Sequence, residues 1–222
     1  MAFGFGYDSF NDNYKVVVVL RGPIRDSSGN FSCKTEVKVH TSSTNCWKNI
    51  PEFPFDIIVP EQSGKLVSDT INWLAIIEFD WRSPRFIVSF DLEKESYQKA
   101  FLPDSGEANV CNFLALFVLS DCLCVTYGDS DFDWVMMDVW IMKEYGNKDS
   151  WTKLFTLSSS VDLCISHNSA KPVYLFEDDQ VLFKLARSFN SFVYDSRSGT
   201  FKCRDFRNIL GVSVESLISH YS

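Results

Sequence analysis

Three histidines, seven cysteines and a set of aspartates at turn-like positions are the side chains of this sequence that could carry out chemistry. His40, His167 and His220 have the right type for a metal ligand or a general base. Each stands alone, with no cysteine or carboxylate at ligand spacing, so they read as ordinary strand or surface histidines. Cys122-Leu123-Cys124 sets two thiols on one face of a strand. A structural zinc site asks for C-x2-C and a second ligand pair, and buried core thiols are expected instead. Asp129, Asp131 and Asp133 spell D-x-D-x-D, the opening of a calcium loop. Such a loop needs Gly at its sixth place and Glu at its twelfth, where this sequence has Trp134 and Trp140. The triplet is expected to form a solvated acidic loop between two strands.

Glycoside hydrolysis needs two carboxylates facing each other across a cleft, roughly 5 to 10 Å apart. Asp80, Asp91, Asp178 and Asp179 qualify by type, but all four fall where turns are expected, and turns favour Asp on their own account. No G-x-S-x-G elbow, phosphate-cradling glycine loop or dinucleotide fingerprint occurs. The inventory argues against an enzyme and against any cofactor, with a propeller-type hydrolase as the alternative. Loops with large side chains are what remains. Phe79-Asp80-Trp81-Arg82-Ser83-Pro84-Arg85 and Asp131-Phe132-Asp133-Trp134 each join two strand candidates. Trp, Tyr and Arg anchor protein interfaces, and loops on a rigid β scaffold carry binding. Trp81, Arg82, Phe132 and Trp134 are therefore the candidate protein-binding residues, although Trp134 also suits the start of the strand that runs to Trp140.

The elements that would hold these loops repeat. An apolar or aromatic residue, a short polar turn and an aromatic seven positions on recur as Tyr7 to Tyr14, His40 to Trp47, Phe90 to Tyr97 and Tyr194 to Phe201. A longer variant runs from Met142 to Trp151. Each reads as a β-hairpin, because the intervening residues are turn formers and the flanks alternate. Val37, Val39 and Thr41 share one strand face, and Glu36, Lys38 and His40 the other. Trp47, Tyr97, Trp151 and Phe201 follow one another at steps of 50, 54 and 50 residues. A period near 50 with several short strands per unit is the mark of kelch-type propeller blades. Lys65–Ile77 and Phe113–Tyr127 are further strand candidates between the hairpins, and Pro172–Leu185 is a further hairpin. The expected fold is all-β, a kelch-like and incomplete or open β-propeller in one domain over residues 1–222, with a β-sandwich as the alternative. The best helical segment, Ser213–Ile218, is too short to matter.

Composition agrees. The 222 residues are 45% hydrophobic and 23% charged, enough to bury about 70% of the unfolded chain's surface. The 15% of aromatics suits pleated sheets. A net charge of -8 gives no electrostatic footing on phosphate backbones or anionic lipid, so neither nucleic acid nor membrane is an expected partner. The longest apolar run, Phe113 to Leu119, is too short to span a bilayer. An opening without a basic or apolar signal region, and an odd cysteine count, suggest free thiols and a cytoplasmic or nuclear setting.

The repeated segments resemble the plant F-box-associated domain. Phe3-Gly4-Phe5-Gly6-Tyr7-Asp8-Ser9, followed by Asn11-Asp12-Asn13-Tyr14-Lys15-Val16-Val17, is similar to that family's GFGYD…NDYKVV opening. Further matches follow in family order. They are Lys38-Val39-His40-Thr41 with Trp47, Asp69-Thr70-Ile71-Asn72-Trp73-Leu74, Ile87-Val88-Ser89-Phe90-Asp91-Leu92 with Leu102-Pro103, and Asp138–Gly146 with Ser150-Trp151-Thr152-Lys153-Leu154. The likeness runs from residue 3 to about residue 206. One departure falls before Thr70, where the family ordinarily has Gly in the place of Ser68 or Asp69. The resemblance implies a module that recruits target proteins to Skp–cullin–F-box ubiquitin ligases and performs no chemistry itself. No segment here resembles an F-box, through which the Skp-family adaptor and the cullin would be reached. A truncated F-box protein is therefore the expectation, with a free-standing binding scaffold as the alternative.

Overall fold

The structure is a computed structural model that describes residues 1–25, 31–51, 59, 63–77, 85–100, 102–103, 113–131, 134–160, 170–176, 180–185 and 191–204. The described residues form four sheets of four strands, each sheet antiparallel and in chain order. The first holds β1 (Ala2–Asp8), β2 (Asn13–Arg25), β3 (Phe31–Thr41) and β4 (Cys46–Ile50). The second holds β5 (Lys65–Val67), β6 (Thr70–Ile76), β7 (Arg85–Asp91) and β8 (Ser96–Ala100). The third holds β9 (Phe113–Leu119), β10 (Cys122–Asp131), β11 (Trp134–Met142) and β12 (Trp151–Ser160). The fourth holds β13 (Ala170–Leu175), β14 (Gln180–Leu185), β15 (Ser191–Asp195) and β16 (Thr200–Arg204).

The first strands of the sheets touch in succession, β1 on β5, β5 on β9 and β9 on β13. A parallel bridge joins Phe3 to Ser63 just before β5. Sheets made of local strands and strung along a line of first strands are the layout of an open propeller. The predicted anchors sit in the last strand of each sheet: Trp47 in β4, Tyr97 in β8, Trp151 in β12 and Phe201 in β16. The Tyr7–Tyr14 hairpin is different in kind. It joins β1 to β2, so it is not a fifth copy at the same place.

Burial follows from this stacking. In β1 the exposed Phe3 and Phe5 alternate with buried Ala2, Gly4, Gly6 and Asp8, as in a strand with one covered face. In β6 and β7 the pattern is instead buried nearly throughout, because the second sheet lies between two others. One face carries Ile71, Trp73, Val88 and Phe90 against Val17, Val19, Val37 and Val39 of the first sheet. The other carries Val67, Leu74 and Ile87 against Leu116, Leu123 and Val125 of the third. Phe155 links the third sheet to the cluster of Leu157, Val181, Phe183, Phe192 and Tyr194 around the fourth.

Two expected single strands are hairpins. Lys65–Ile77 bends at Ser68 (φ 48°) and Asp69 (φ 55°), and Phe113–Tyr127 at Ser120 (φ 47°) and Asp121 (φ 58°). Two left-handed residues in a row make the I′ turn that matches strand twist. The usual signal is Asn-Gly or Asp-Gly, and Ser-Asp hides it. Left-handed backbone costs a non-glycine residue ~1 kcal/mol or more. Ser68→Gly is accordingly expected to raise stability by about 0.5–1 kcal/mol in urea unfolding; a loss would show that the turn does not hold this conformation.

Polar contacts join the first sheet to the second, and the second to the third, from a matching position, the third residue of the second strand. In β2 this is Lys15. Its ammonium lies 2.9 Å from the buried Asp8 carboxylate, then crosses to the β7–β8 turn, donating to the Leu92 carbonyl at 2.5 Å and pairing with Glu95 at 3.2 Å. In β6 it is Asn72, fully buried, whose Oδ1 accepts from Ser89 at 2.6 Å and from Tyr145, past the end of β11, at 2.8 Å. In β10 the same position is Cys124, which is instead buried among the apolar Phe117, Leu119, Val139 and Ile141 of its own sheet.

Candidate functional site

The four predicted binding residues fall on two connections that hold the same place in successive sheets. Trp81 and Arg82 lie between β6 and β7, and Phe132 and Trp134 at the junction of β10 and β11. Trp81, Arg82 and Phe132 are outside the described residues. Trp134 is the first residue of β11, paired with Asp131 and with Ser160. It therefore follows the alternative expected for it, the start of the strand that runs through Trp140.

Of the four aspartates considered for hydrolysis, Asp80, Asp178 and Asp179 are outside the described residues. Asp91 closes its own turn, accepting from the Lys94 backbone at 2.9 Å and pairing with the Lys94 ammonium at 2.9 Å. Burial would raise the Asp91 carboxyl, but the hydrogen bonds and charge of Lys94 outweigh it and hold the group below the usual carboxylate range. A carboxylate so engaged is a turn cap.

The acidic triplet is not a loop as expected. Asp129 and Asp131 belong to β10, opposite Met136 and Trp134, because that strand extends through them; Asp133 is outside the described residues. His40 lies 3.2 Å from Asn45 Oδ1 and rests its ring on Trp47. His167 and His220 are outside the described residues. Burial pushes the Cys124 thiol up to about 12, which leaves it protonated and inert. Cys46 and Cys122 are also free thiols. Among the described residues no three His, Cys, Asp or Glu side chains converge as metal ligands.

Two features escaped the sequence reading. One is a cleft of about 290 Å³ between the second and third sheets, floored by Asn72, Ser89 and Tyr145 and walled by Leu123 and Met142. Nothing in local sequence pairs Asn72 with a tyrosine 73 residues away. The other is the outward face of the first sheet, where Phe5 stacks on Tyr14 with centroids 5.5 Å apart and Tyr7 tilts against Tyr14 at 5.1 Å. Its signal was legible: in Phe3-Gly4-Phe5-Gly6-Tyr7 the aromatics fall on one strand face and the glycines on the other.

Among the described residues these side chains form surfaces and turn caps. Comparison with known proteins identifies the family. The profile of the F-box associated beta propeller domain matches residues 1–206. The F-box protein CPR1 of Arabidopsis thaliana is 31% identical over 201 residues, covering 82% of this chain and 46% of that protein. An F-box/kelch-repeat protein of the same plant is 26% identical over 228 residues, covering 96% of this chain and 56% of that protein. The chain thus spans about half the length of the curated relatives it matches. Among solved structures, the GH32 beta-fructofuranosidase BmSUC1 of Bombyx mori superposes with a TM-score of 0.46 at 13% identity, covering 92% of this chain and 48% of that one. A likeness of that size carries nothing about activity.

Proposed function

Because the chain belongs to the F-box associated beta propeller domain family, we propose that it is a protein-binding module serving substrate recognition in a plant Skp–cullin–F-box ubiquitin ligase. It holds a target protein and contributes no catalytic group of its own. The observation that carries this reading is the family match across residues 1–206. The connections between second and third strands, with Trp81, Arg82 and Phe132, and the adjoining start of β11, with Trp134, are the proposed contact surface, since aromatic and Arg side chains anchor protein interfaces. Skp-family adaptor and cullin would be reached through an F-box, a role that no part of these 222 residues is given.

Affinity capture from plant extract tests both halves. The chain should retain a defined set of proteins, and alanine at these four positions should reduce their recovery about tenfold or more, the loss of two interface anchors at ~1–2 kcal/mol each, while the melting temperature holds. Unchanged recovery, or a collapsed melt, would remove these residues from the surface. Precipitation of the protein from tissue should bring down a Skp-family adaptor and a cullin with the targets. Targets without either would leave a free-standing scaffold.

A further inference from the structure

The cleft between the second and third sheets owes its chemistry to Asn72. Where the first sheet meets the second, the matching side chain is Lys15, long enough to cross to Leu92 and Glu95. Asn72 is shorter, and its amide turns back on its own sheet, donating to the Lys65 and Thr70 carbonyls at 3.1 Å each. Carbonyls only accept, so these two bonds fix which way the amide faces. Asn72 Oδ1 must then accept. The two hydroxyls that reach it, Ser89 at 2.6 Å and Tyr145 at 2.8 Å, must both donate. A hydroxyl has one proton and two lone pairs. Ser89 and Tyr145 therefore have no proton left to give, and the floor of the cleft can only accept. Leu123 and Met142 form apolar walls, with the Met142 sulfur held by the Gly146 N–H at 3.3 Å. Lys99 and Lys148, both exposed, belong to the same lining, which includes no Asp or Glu among the described residues.

We propose that this cleft binds a small aromatic carboxylate that carries a neutral N–H or O–H donor at the far end of its ring. The floor selects the donor. A carboxylate or an ether there would set lone pair against lone pair, and an ammonium would be buried without a counter-charge. The lysines select the charge. The chain carries -8 overall, so two lysines in a lining without an acid make a local positive mouth that draws an anion. The apolar walls take the ring, and a rigid ring loses little freedom on binding. The volume of about 290 Å³ stands at the lower limit of small-molecule sites. A ligand of that size binds with a Kd of about 0.1–1 mM. Asn72 lies near the start of β6, whereas Trp81 and Arg82 follow its end. A ligand here leaves the proposed target surface open.

Ligand-observed NMR titration of the full chain with para-aminobenzoate tests the site. The aryl amine supplies N–H donors and the carboxylate the charge, so a Kd of about 0.1–1 mM is expected. Benzoate, which lacks the donor, and para-methoxybenzoate, which puts an acceptor in its place, should bind about tenfold or more weaker. Lys148→Glu, at an exposed position, should weaken para-aminobenzoate about threefold or more at low salt with the melting temperature kept. Tyr145→Phe removes one floor acceptor and should weaken para-aminobenzoate while leaving benzoate unchanged, a difference that mere loosening of the fold does not produce. If Tyr145→Phe does not fold, the three ligands on the wild-type chain and Lys148→Glu carry the test. No binding of para-aminobenzoate up to about 10 mM, equal binding of the three ligands, or Lys148→Glu that binds as the wild type does overturns the proposal. So does a folded Tyr145→Phe chain that keeps the full preference for para-aminobenzoate over benzoate.

Discussion

Lys15→Met is expected to cost about 3–5 kcal/mol of folding stability, the usual result of removing one partner from a buried ion pair. The side chains of Lys15 and Asp8 are almost wholly buried. Asp8 also accepts from the Asn11 backbone at 3.1 Å and from its side chain at 2.8 Å. Those two bonds hold the carboxylate in place but do not neutralise it. Taking the ammonium away leaves Asp8 charged in a dry site and strips the Leu92 carbonyl of its donor. Glu95 keeps Lys48, which pairs with it at 2.5 Å from a mostly exposed position, so the main loss falls on Asp8 and Leu92. Equilibrium unfolding in urea measures the effect. A cost below ~1 kcal/mol, the worth of an exposed pair, would show that water reaches the site.

The same cluster sets a pH dependence. Burial alone would raise the Asp8 carboxyl, and the bonds from Asn11 and Lys15 outweigh it, leaving the group below its ordinary 3.8. Glu95 is likewise held below its ordinary 4.5, burial being overcome by Lys48 and Lys15. A depressed carboxyl stabilises the fold above its unfolded value and loses that contribution as pH falls through the lower, folded value. Stability should therefore be level near neutrality and decline from about pH 4.5 downward. In Lys15→Met the acid decline should flatten, since much of what it removes is already gone.

Lys15 also marks where local reading stopped. The strands, their hairpins and the repeat could be read because alternation and turn residues act between neighbours. The anchors Trp47, Tyr97, Trp151 and Phe201 all proved to be in fourth strands, since each seals a hairpin of nearly constant length. The tight turns at Ser68-Asp69 and Ser120-Asp121 escaped because they lack glycine. The reach of Lys15 to Leu92 spans 77 residues, and that of Tyr145 to Asn72 spans 73. Such contacts exist only once the sheets are stacked, and no local pattern announces them. Residue type and position between strand candidates do not separate loop from strand at Trp134, and its pairing with Asp131 and Ser160 makes it strand.

The packing between the first two sheets centres on Trp73, and Trp73→Ala is expected to cost about 3–5 kcal/mol. The indole is fully buried, and its nitrogen donates to the Phe3 carbonyl at 3.4 Å. Two glycines make room for it. A methyl group added at Gly4 would stand 2.5 Å from Ile71 and 3.0 Å from the indole, and one at Gly64 would meet Ile71 first and stand 2.7 Å from the indole. Gly64 itself donates to the Phe3 carbonyl at 2.7 Å, so its backbone has little freedom to retreat. Gly64→Ala should thus cost about 1–3 kcal/mol through overpacking. The double variant is the sharper test. Once the indole is gone, the methyl group at position 64 loses one of its two clashes, that with Ile71 remaining, and Ile71 can shift into the cavity, so the two costs should fall short of additive by about 0.5–1 kcal/mol. Strict additivity would mean that the indole and the glycine do not meet, and that the first and second sheets are not packed through this contact.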